Sequence, residues 1–163
     1  MTSTQPSPPT GWRRSFYRMP LWLYRHGLGG MLGERYVLLT HTGRVSGQPR
    51  QALLEVVDRD PATGALIVVA GFGPRTDWYR NVQVHPDVTT QVGRDVRPAR
   101  AAVLTPDEAA DVMAVFAPQH PVTARRISRS VGLGTAIEDT SATPDARWRA
   151  VGERTLFVRL SPR

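Results

Sequence analysis

The shortness of the connections between strand-like segments constrains the fold more than any other feature of this sequence. Turn-forming residues, such as those at 60–64, leave only a few positions between successive runs of β-branched and apolar residues. A parallel strand pair needs a crossover of about a dozen residues or more, so most neighbouring strands must be antiparallel. This excludes a doubly wound parallel sheet. We predict strands over residues 36–42, 50–58, 65–70, 88–92, 96–104 and 155–160.

Helical patterns interrupt and follow these strands. Thr105 and Glu108 have the spacing of a capping box, with Pro106 at the first turn, and they start a helix that runs to about residue 117. Mostly antiparallel strands with peripheral helices predict an α+β domain built around a small barrel. We expect further helical segments over residues 76–85, 122–132 and 145–151, and a loop over residues 133–144.

The composition is that of one globular domain. The 163 residues are 40% hydrophobic and 21% charged. We interpret the polar, proline-rich residues 1–10 as a disordered tail and residues 11–163 as a single domain. No stretch is apolar for long enough to span a bilayer, and the N-terminus lacks the basic and apolar regions of a secretory signal. We therefore expect a cytoplasmic protein.

Two missing residue types exclude whole classes of chemistry. Without cysteine the chain has no disulfide scaffold, no thiolate metal site and no cysteine nucleophile. All 21 basic residues are arginine, which excludes a Walker lysine and a lysine Schiff base. The four histidines, at positions 26, 41, 85 and 120, lack the spacing of metal ligands, so we predict no metal site.

The net charge of +7 favours an anionic partner, which could be nucleic acid, a phospholipid surface or a phosphate-bearing small molecule. Charge alone does not choose among these three. The arginines are spread along the chain without a basic-aromatic reader motif or helix-turn-helix spacing, which argues against specific nucleic-acid binding. We therefore expect a small-molecule partner.

Residues 12–26 carry a basic amphipathic pattern. On a helix, apolar residues from Trp12 to Leu23 fall on one side, and the arginines at 14, 18 and 25 fall on the opposite side. Pro20 favours two short helices over one. The pattern is typical of a helix on an anionic membrane, which would place the protein at the membrane's inner face. A helix that packs its apolar face on its own domain has the same pattern and is the more common case.

The first candidate for ligand chemistry is the turn over residues 43–50. Gly43 and Gly47 permit tight turns and the close approach of backbone N–H groups to a ligand. Arg44 and Arg50 flank the turn, and their guanidinium forks match phosphate or carboxylate oxygens. Ser46 adds a hydroxyl donor. This content fits an anion cradle, and it also fits an ordinary hairpin turn with exposed arginines.

The second candidate is the segment over residues 70–81. A buried strand ends in a bend with Gly71 and Gly73, which leads into the start of a helix. Free backbone N–H groups at such a bend can bind a ring carbonyl or a phosphate. Trp78 and Tyr79 offer flat surface to a ring, or they are core residues of a short helix. Asn81 could line the same site or bridge backbone groups.

Both segments resemble one known family. The run at residues 36–50, which ends in Thr42-Gly43-Arg44-Val45-Ser46-Gly47-Gln48-Pro49-Arg50, is similar to the leading signature of the deazaflavin-dependent nitroreductases. The second signature of that family resembles Trp78-Tyr79-Arg80-Asn81-Val82 followed by His85-Pro86. The order and separation of the two motifs also agree, and the resemblance covers about residues 12–130.

The resemblance implies a split β-barrel, like that of flavin reductases, which binds the reduced deazaflavin coenzyme F420. It implies hydride transfer from this coenzyme to a quinone, a nitro compound or another activated double bond. FMN is the alternative coenzyme. The residues that the resemblance places at the phosphate and anionic tail are Arg44, Ser46, Gly47, Pro49 and Arg50. Those that it places along the ring are Ala70, Gly71, Phe72, Gly73, Trp78, Tyr79 and Asn81.

The chain departs from the family pattern in three places. Val45 stands where many members have a lysine, and the bend around Phe72 is shorter and less basic than in many members. The helices after the capping box lack the tyrosines of members that reduce nitro compounds. Tyr79, His120 or water could supply the proton that follows the hydride. The alternative function is a non-catalytic carrier of deazaflavin or flavin with the same fold, and either protein could be a homodimer.

Overall fold

The structure, a computed structural model, describes residues 34–138 and 141–163, and of residue 136 it describes the backbone alone. The predicted tail at residues 1–10 and the amphipathic segment at residues 12–26 lie outside the described residues. Within the described part of the chain, no helix combines the length and apolar character needed to cross a membrane.

Six strands of the described chain close into a barrel in which every neighbouring pair is antiparallel. They are β1 (Tyr36–Thr42), β2 (Pro49–Arg59), β3 (Leu66–Val69), β4 (Asp87–Val92), β5 (Asp95–Val103) and β6 (Phe157–Pro162). Around the barrel the order is β1, β2, β3, β6, β5 and β4, which pairs again with β1. The predicted antiparallel barrel in an α+β domain is confirmed.

This topology defines two ends of the barrel. Because all neighbours are antiparallel, β1, β3 and β5 finish at the same end at which β2, β4 and β6 begin. We call this the upper end and its opposite the lower end. The turn between β1 and β2 and the connection from β3 to β4 therefore both lie at the upper end, which brings the two sequence motifs to one side of the molecule.

Four α-helices accompany the barrel in the described residues. They are α1 (Asp77–Val84), α2 (Pro106–Gln119), α3 (Pro121–Ser130) and α4 (Pro144–Glu153). The first connects β3 to β4 and contacts β1, β2 and β5, so it covers the upper end of the barrel. The other three follow β5, and α2 packs against both α3 and α4.

Two boundaries near the C-terminus differ from the prediction. The expected helical turn at residues 145–151 is a ten-residue helix, and the last strand begins at Phe157 rather than at residue 155. Thr155 lies in the turn that follows α4, where its N–H donates to the Gly152 carbonyl at 2.8 Å and its Oγ1 donates to the Val151 carbonyl at 2.7 Å. The loop expected at residues 133–144 contains a short 3₁₀ turn, Ala136–Glu138.

The predicted capping box is present at the start of α2. The Glu108 N–H donates to Thr105 Oγ1 at 3.3 Å, and the Thr105 N–H donates to Glu108 Oε2 at 2.9 Å. Arg159 of β6 also donates to Glu108, at Oε1, over 3.1 Å. One carboxylate thus caps the helix and joins it to the barrel wall.

Buried side chains form two clusters, one inside the barrel and one between the barrel and α2–α4. The inner cluster includes Val37, Leu39, Leu54, Val68, Ala99, Val158 and Leu160 from the strands and Trp78, Tyr79 and Val82 from α1. The outer cluster includes Val57, Ile67, Met113, Phe116, Ile127, Val151 and Phe157. Strand alternation explains the division, because successive side chains of one strand point to opposite faces of the barrel wall.

Candidate functional site

The turn over residues 43–48 at the upper end is a closed hairpin connection. The Gly43 N–H donates to the Gln48 carbonyl at 2.8 Å, and the Gly47 N–H donates to the Gly43 carbonyl at 2.8 Å. Gly47 has a φ of +65°, a conformation that glycine adopts without strain. Ser46 Oγ accepts from the Gln48 N–H at 3.3 Å, and Ser46 and Gly47 are both exposed. The Ser46 hydroxyl proton therefore remains available to a ligand.

Arg44, the first predicted anion-binding arginine, is anchored to α1. Asn81 Oδ1 accepts from the Arg44 backbone N–H at 3.1 Å and from Arg44 Nη1 at 2.9 Å. The same Nη1 lies 3.0 Å from Asp77 Oδ1. The guanidinium is thus held at one nitrogen, and its Nε and Nη2 donate to no described residue. Arg44 is therefore a fixed cation whose Nε and Nη2 donors are not used by the described residues.

Arg50, the second predicted arginine, stands opposite His41 in the β1–β2 ladder. Directly opposed residues of an antiparallel pair have side chains on the same face. That face is the barrel interior, because Val37 and Leu39 alternate with His41 along β1 and belong to the inner cluster. Arg50 comes directly after Pro49, at the start of β2, and both are exposed at the upper end. No described residue forms a hydrogen bond or an ion pair with the Arg50 side chain.

His41 is a buried residue of this end that the sequence motifs missed. It is 5% exposed, and its Nδ1 is 3.2 Å from Asn81 Nδ2. Burial lowers the pKa of His41 below its ordinary value of 6.5, and the nearby Arg50 charge lowers it further. Asp77 and the Thr42 backbone act in the opposite direction and do not reverse the shift. The imidazole is therefore neutral at neutral pH.

Asn81 joins these residues into one chain of contacts. It is 4% exposed, its amide oxygen accepts two bonds from Arg44, and its amide nitrogen bonds His41. The sequence left open whether Asn81 lines a site or bridges backbone groups. The structure shows that it bridges α1 to β1 and to the turn.

The bend after β3 forms a cleft at the same end of the barrel. The Gly73 N–H donates to the Ala70 carbonyl at 2.9 Å, and Thr76 Oγ1 donates to the Gly73 carbonyl at 2.8 Å. No described residue accepts a hydrogen bond from the Gly71 N–H, and a Cβ on Gly71 would point into open space. Phe72 is 37% exposed. A cleft of about 270 Å³ is lined by this bend, the end of α3 and residues 154–156.

Trp78 and Tyr79 are core residues of the barrel. Each is 7% exposed, and their rings meet edge to face with centroids 6.1 Å apart. Of the two interpretations that the sequence allowed, the structure favours the core. Burial raises the pKa of the Tyr79 hydroxyl, so this side chain keeps its proton at neutral pH. A contact of either residue with a coenzyme ring stays a prediction.

Comparison with known proteins identifies the family. The model of the family named F420H(2)-dependent quinone reductase matches residues 16–137, which is most of the chain. The chain belongs to this family. The resemblance found in the two motifs is therefore confirmed, and the coenzyme of the family is F420, in an oxidoreductase reaction.

A curated relative of this F420H(2)-dependent quinone reductase family member matches only part of the chain. Rv3178 of Mycobacterium tuberculosis, provisionally named an F420H(2)-dependent quinone reductase, is 39% identical over 77 residues, which are 45% of this chain and 62% of that protein. The chain thus covers less than two thirds of the length of this curated relative.

Two solved structures share the fold. An F420-H2-dependent reductase, FDR-A, aligns with a TM-score of 0.51 at 23% identity, over 79% of this chain and 95% of that one. A chain solved as a domain-swapped dimer aligns with a TM-score of 0.53 at 24% identity, over 94% and 99% of the two chains. At these identities the likeness supports the barrel fold alone.

His120, the other predicted proton donor, lies in a different cleft. Its ring stacks on Phe116 with centroids 4.7 Å apart. This cleft, of about 620 Å³, runs along the barrel wall beside the start of β1 and includes Arg35 and Glu55. None of the predicted coenzyme residues lines it. In this family member the structure therefore brings Arg44, Arg50 and the glycine bend to one end and does not bring His120 there.

Proposed function

We propose that this chain is a reductase that uses reduced coenzyme F420 to reduce a quinone, with nitro compounds and other activated double bonds as alternative substrates. The observation that carries the proposal is the Arg50 guanidinium, which pairs with no described residue and lies at the same barrel end as the fixed Arg44 and the glycine bend. Membership of the F420H(2)-dependent quinone reductase family supports the same coenzyme and reaction type.

The residues of the upper end fit an anionic tail. Among the described residues none accepts from the Arg50 guanidinium, and Arg44 adds a second, immobile cation whose Nε and Nη2 donate to none of them either. Guanidinium groups bind phosphate and carboxylate oxygens in pairs, which suits a tail with several negative charges. The exposed hydroxyl of Ser46 and the turn at Gly47 complete a polar rim. The protein's charge of +7 attracts such a ligand from a distance.

The bend after β3 fits part of a flat ring. The Gly71 N–H, which no acceptor in the described part of the chain engages, can donate to a ring carbonyl, and the missing Cβ keeps the approach open. The cleft of about 270 Å³ is slightly smaller than the roughly 300 Å³ at which small-molecule pockets begin. It would therefore take the ring only in part, so that one portion of the ring stays accessible to the substrate.

When bound, the coenzyme supplies the hydride, and the chain supplies binding, orientation and a proton. Arg44 and Arg50 hold the charged tail, and the Gly71 N–H orients the ring. A quinone that takes up a hydride also takes up a proton to become a hydroquinone. Tyr79 is one candidate for that proton, because it belongs to the helix that covers the upper end of the barrel and its hydroxyl is protonated at neutral pH. His120 and water are the other candidates.

The direct test is titration of the protein with coenzyme F420 and with FMN, followed by turnover with a quinone, a nitroaromatic compound and an enone. We expect F420 to bind more tightly than FMN and the quinone to be reduced fastest. Saturable binding of F420 without turnover of any substrate would support the alternative function, a carrier protein. Tighter binding of FMN would contradict the proposed coenzyme.

The second candidate function, the carrier, is favoured by the position of His120. His120 lies away from the glycine bend, so few titratable groups near the bend could supply the proton that a reductase needs. Turnover by the wild type separates the two functions, and a Tyr79→Phe variant then tests the proton source, because a reductase that depends on this hydroxyl loses turnover while it retains coenzyme binding.

Two further proposals concern partners. A homodimer would be detected by light scattering at the concentrations used for the titration. Contact with a membrane through residues 12–26 would be detected by flotation with anionic liposomes, which we expect to recruit the full chain and not a chain that lacks residues 1–26.

A further inference from the structure

The contacts of Asn81 fix the orientation of its side-chain amide. Two donors of Arg44 point at one atom of that amide, at 3.1 Å from the backbone nitrogen and 2.9 Å from Nη1. An arginine side chain and a backbone N–H can only donate, so that atom must be the amide oxygen. The amide nitrogen must then face His41 and donate to it.

This orientation in turn fixes the state of His41. The ring atom within 3.2 Å of the Asn81 amide nitrogen is Nδ1, and it has to accept a hydrogen bond. An accepting Nδ1 carries no proton, so the imidazole is neutral and its proton is on Nε2. A protonated Nδ1 would face the amide N–H₂ donor to donor. Rotation of the amide by half a turn would remove this clash but would turn the amide nitrogen toward the two Arg44 donors, which would then have no acceptor on Asn81.

We propose that His41 is a positioning residue of the anion site: its Nδ1 orients the Asn81 amide, and through that amide it holds the backbone and guanidinium of Arg44 in place. The inference rests on the proposed function in so far as the anion is the tail of the coenzyme. Arg44 needs such a support because the other group that touches its guanidinium is Asp77, a carboxylate that is 80% exposed.

The surroundings of His41 keep its imidazole neutral at neutral pH. Arg50 on β2 disfavours a second positive charge on the ring, and Asp77 on α1 favours it. Arg44, at the far side of the Asn81 amide, adds a further positive charge nearby. Burial of the ring outweighs the effect of Asp77, and the pKa of His41 lies below 6.5.

The first test reads the hydrogen bonds directly and needs no ligand. In protein labelled with ¹⁵N-histidine, the His41 signals are those that disappear in a His41→Leu variant. We expect an unprotonated Nδ1 and a protonated Nε2 near pH 7.5. A proton on Nδ1 would overturn the proposal. Asn81 is the only asparagine of the chain, so ¹⁵N-asparagine gives the pair of N–H signals of one side-chain amide, which should move in His41→Leu and stay in place in the control His85→Leu.

The second test measures what the positioning does for the site. Asparagine at position 41 keeps an accepting oxygen on Cγ where histidine has Nδ1, whereas leucine has a methyl group there. We expect His41→Leu to weaken the binding of coenzyme F420 about tenfold, the scale of one charge-assisted hydrogen bond, and His41→Asn to stay within about threefold of the wild type. Affinities are measured well below the unfolding temperature of each variant.

A double-mutant cycle distinguishes positioning from a general loss of structure. If His41 acts through Arg44, then His41→Leu weakens binding less in an Arg44→Ala background than in the wild type, because the guanidinium contact is already absent and only the backbone contact at position 44 remains. Effects of the two substitutions that multiply would contradict the proposal. A wild-type protein that fails to bind the coenzyme would refute the proposed function, while the proton position on His41 would still decide the inference.

Discussion

His41 and Arg50 face each other across the β1–β2 ladder, and one is 5% exposed while the other reaches solvent. The pair marks the point at which the barrel interior meets the proposed anion site. A neutral imidazole can be buried beside the Arg50 guanidinium, whereas a charged imidazole there would be disfavoured by burial and by repulsion from Arg50, which the attraction of Asp77 does not offset. No described residue pairs with Arg50, so we expect its charge to be available to a ligand.

Asp77 competes with an anionic ligand for Arg44, since its carboxylate lies 3.0 Å from Nη1. Asp77→Asn removes this negative charge, and we expect the affinity for coenzyme F420 to rise about two- to fivefold, as for an exposed ion pair worth roughly 0.3–1 kcal/mol. Calorimetric titration at low salt measures the change. Asp95→Asn, which removes a carboxylate at the lower end, is the matched control; an equal gain in both variants would show that only the net charge matters.

Gly152 lets α4 approach α2 more closely than any larger residue would allow. A Cβ at this position would lie 2.4 Å from the Ala109 carbonyl oxygen and 2.6 Å from the Ala110 Cα, both of which are helix backbone. We expect Gly152→Ala to lower the free energy of unfolding by about 1–3 kcal/mol or more, the cost of overpacking. Urea unfolding measures this. Gly71→Ala, where a Cβ meets nothing, should change stability by no more than about 0.5 kcal/mol.

Glu108 makes stability depend on acid pH through the capping box. The Thr105 backbone N–H and then Arg159 lower the pKa of Glu108 below its ordinary value of 4.5. Its stabilising effect is therefore complete above about pH 4.5 and is lost as the pH falls through the lowered value. We expect Glu108→Gln to be less stable than the wild type at neutral pH and to lose less stability on acidification. Chemical unfolding at two pH values measures the difference.

The control for this prediction is Asp107→Asn, which removes a carboxylate from the same turn of α2 without touching Thr105 or Arg159. Thr105→Ala removes the other half of the box and should cost about 1 kcal/mol. Acid sensitivity that is the same in Glu108→Gln as in the wild type would show that other carboxylates determine it.

The sequence was sufficient for most of the barrel because its strands are bounded by local signals. Glycine and proline bracket β1 and β2, and short turns leave no alternative to antiparallel pairing. The start of β6 was placed too early because Thr155 is β-branched and was counted with the strand. In the structure its hydroxyl donates to the Val151 carbonyl in α4 instead. Ser and Thr side chains commonly form such local bonds to the backbone, and these bonds compete with strand pairing.

The proposed anion site could be predicted only in part, because the contacts that hold its residues are not local in the sequence. Arg44 and Arg50 were visible in a motif of a few residues, but the bonds that hold Arg44 reach 37 residues along the chain, to Asn81. They form only when α1 docks on the end of the barrel, which no local pattern encodes. The same docking buries Trp78 and Tyr79 and turns His41, one of four scattered histidines, into a member of the site.

The account depends most directly on Arg50, and one measurement tests it: titration of coenzyme F420 into the wild type, Arg50→Ala and Arg94→Ala. Arg94 is an exposed arginine at the lower end, far from the proposed site. Each variant loses one arginine, so the two variants have the same net charge. We predict that Arg50→Ala weakens binding by roughly 1.5–3 kcal/mol, the worth of a hydrogen bond to a charged group, while Arg94→Ala binds nearly as the wild type does. Equal affinities of the two variants would contradict the claim that this arginine holds the coenzyme.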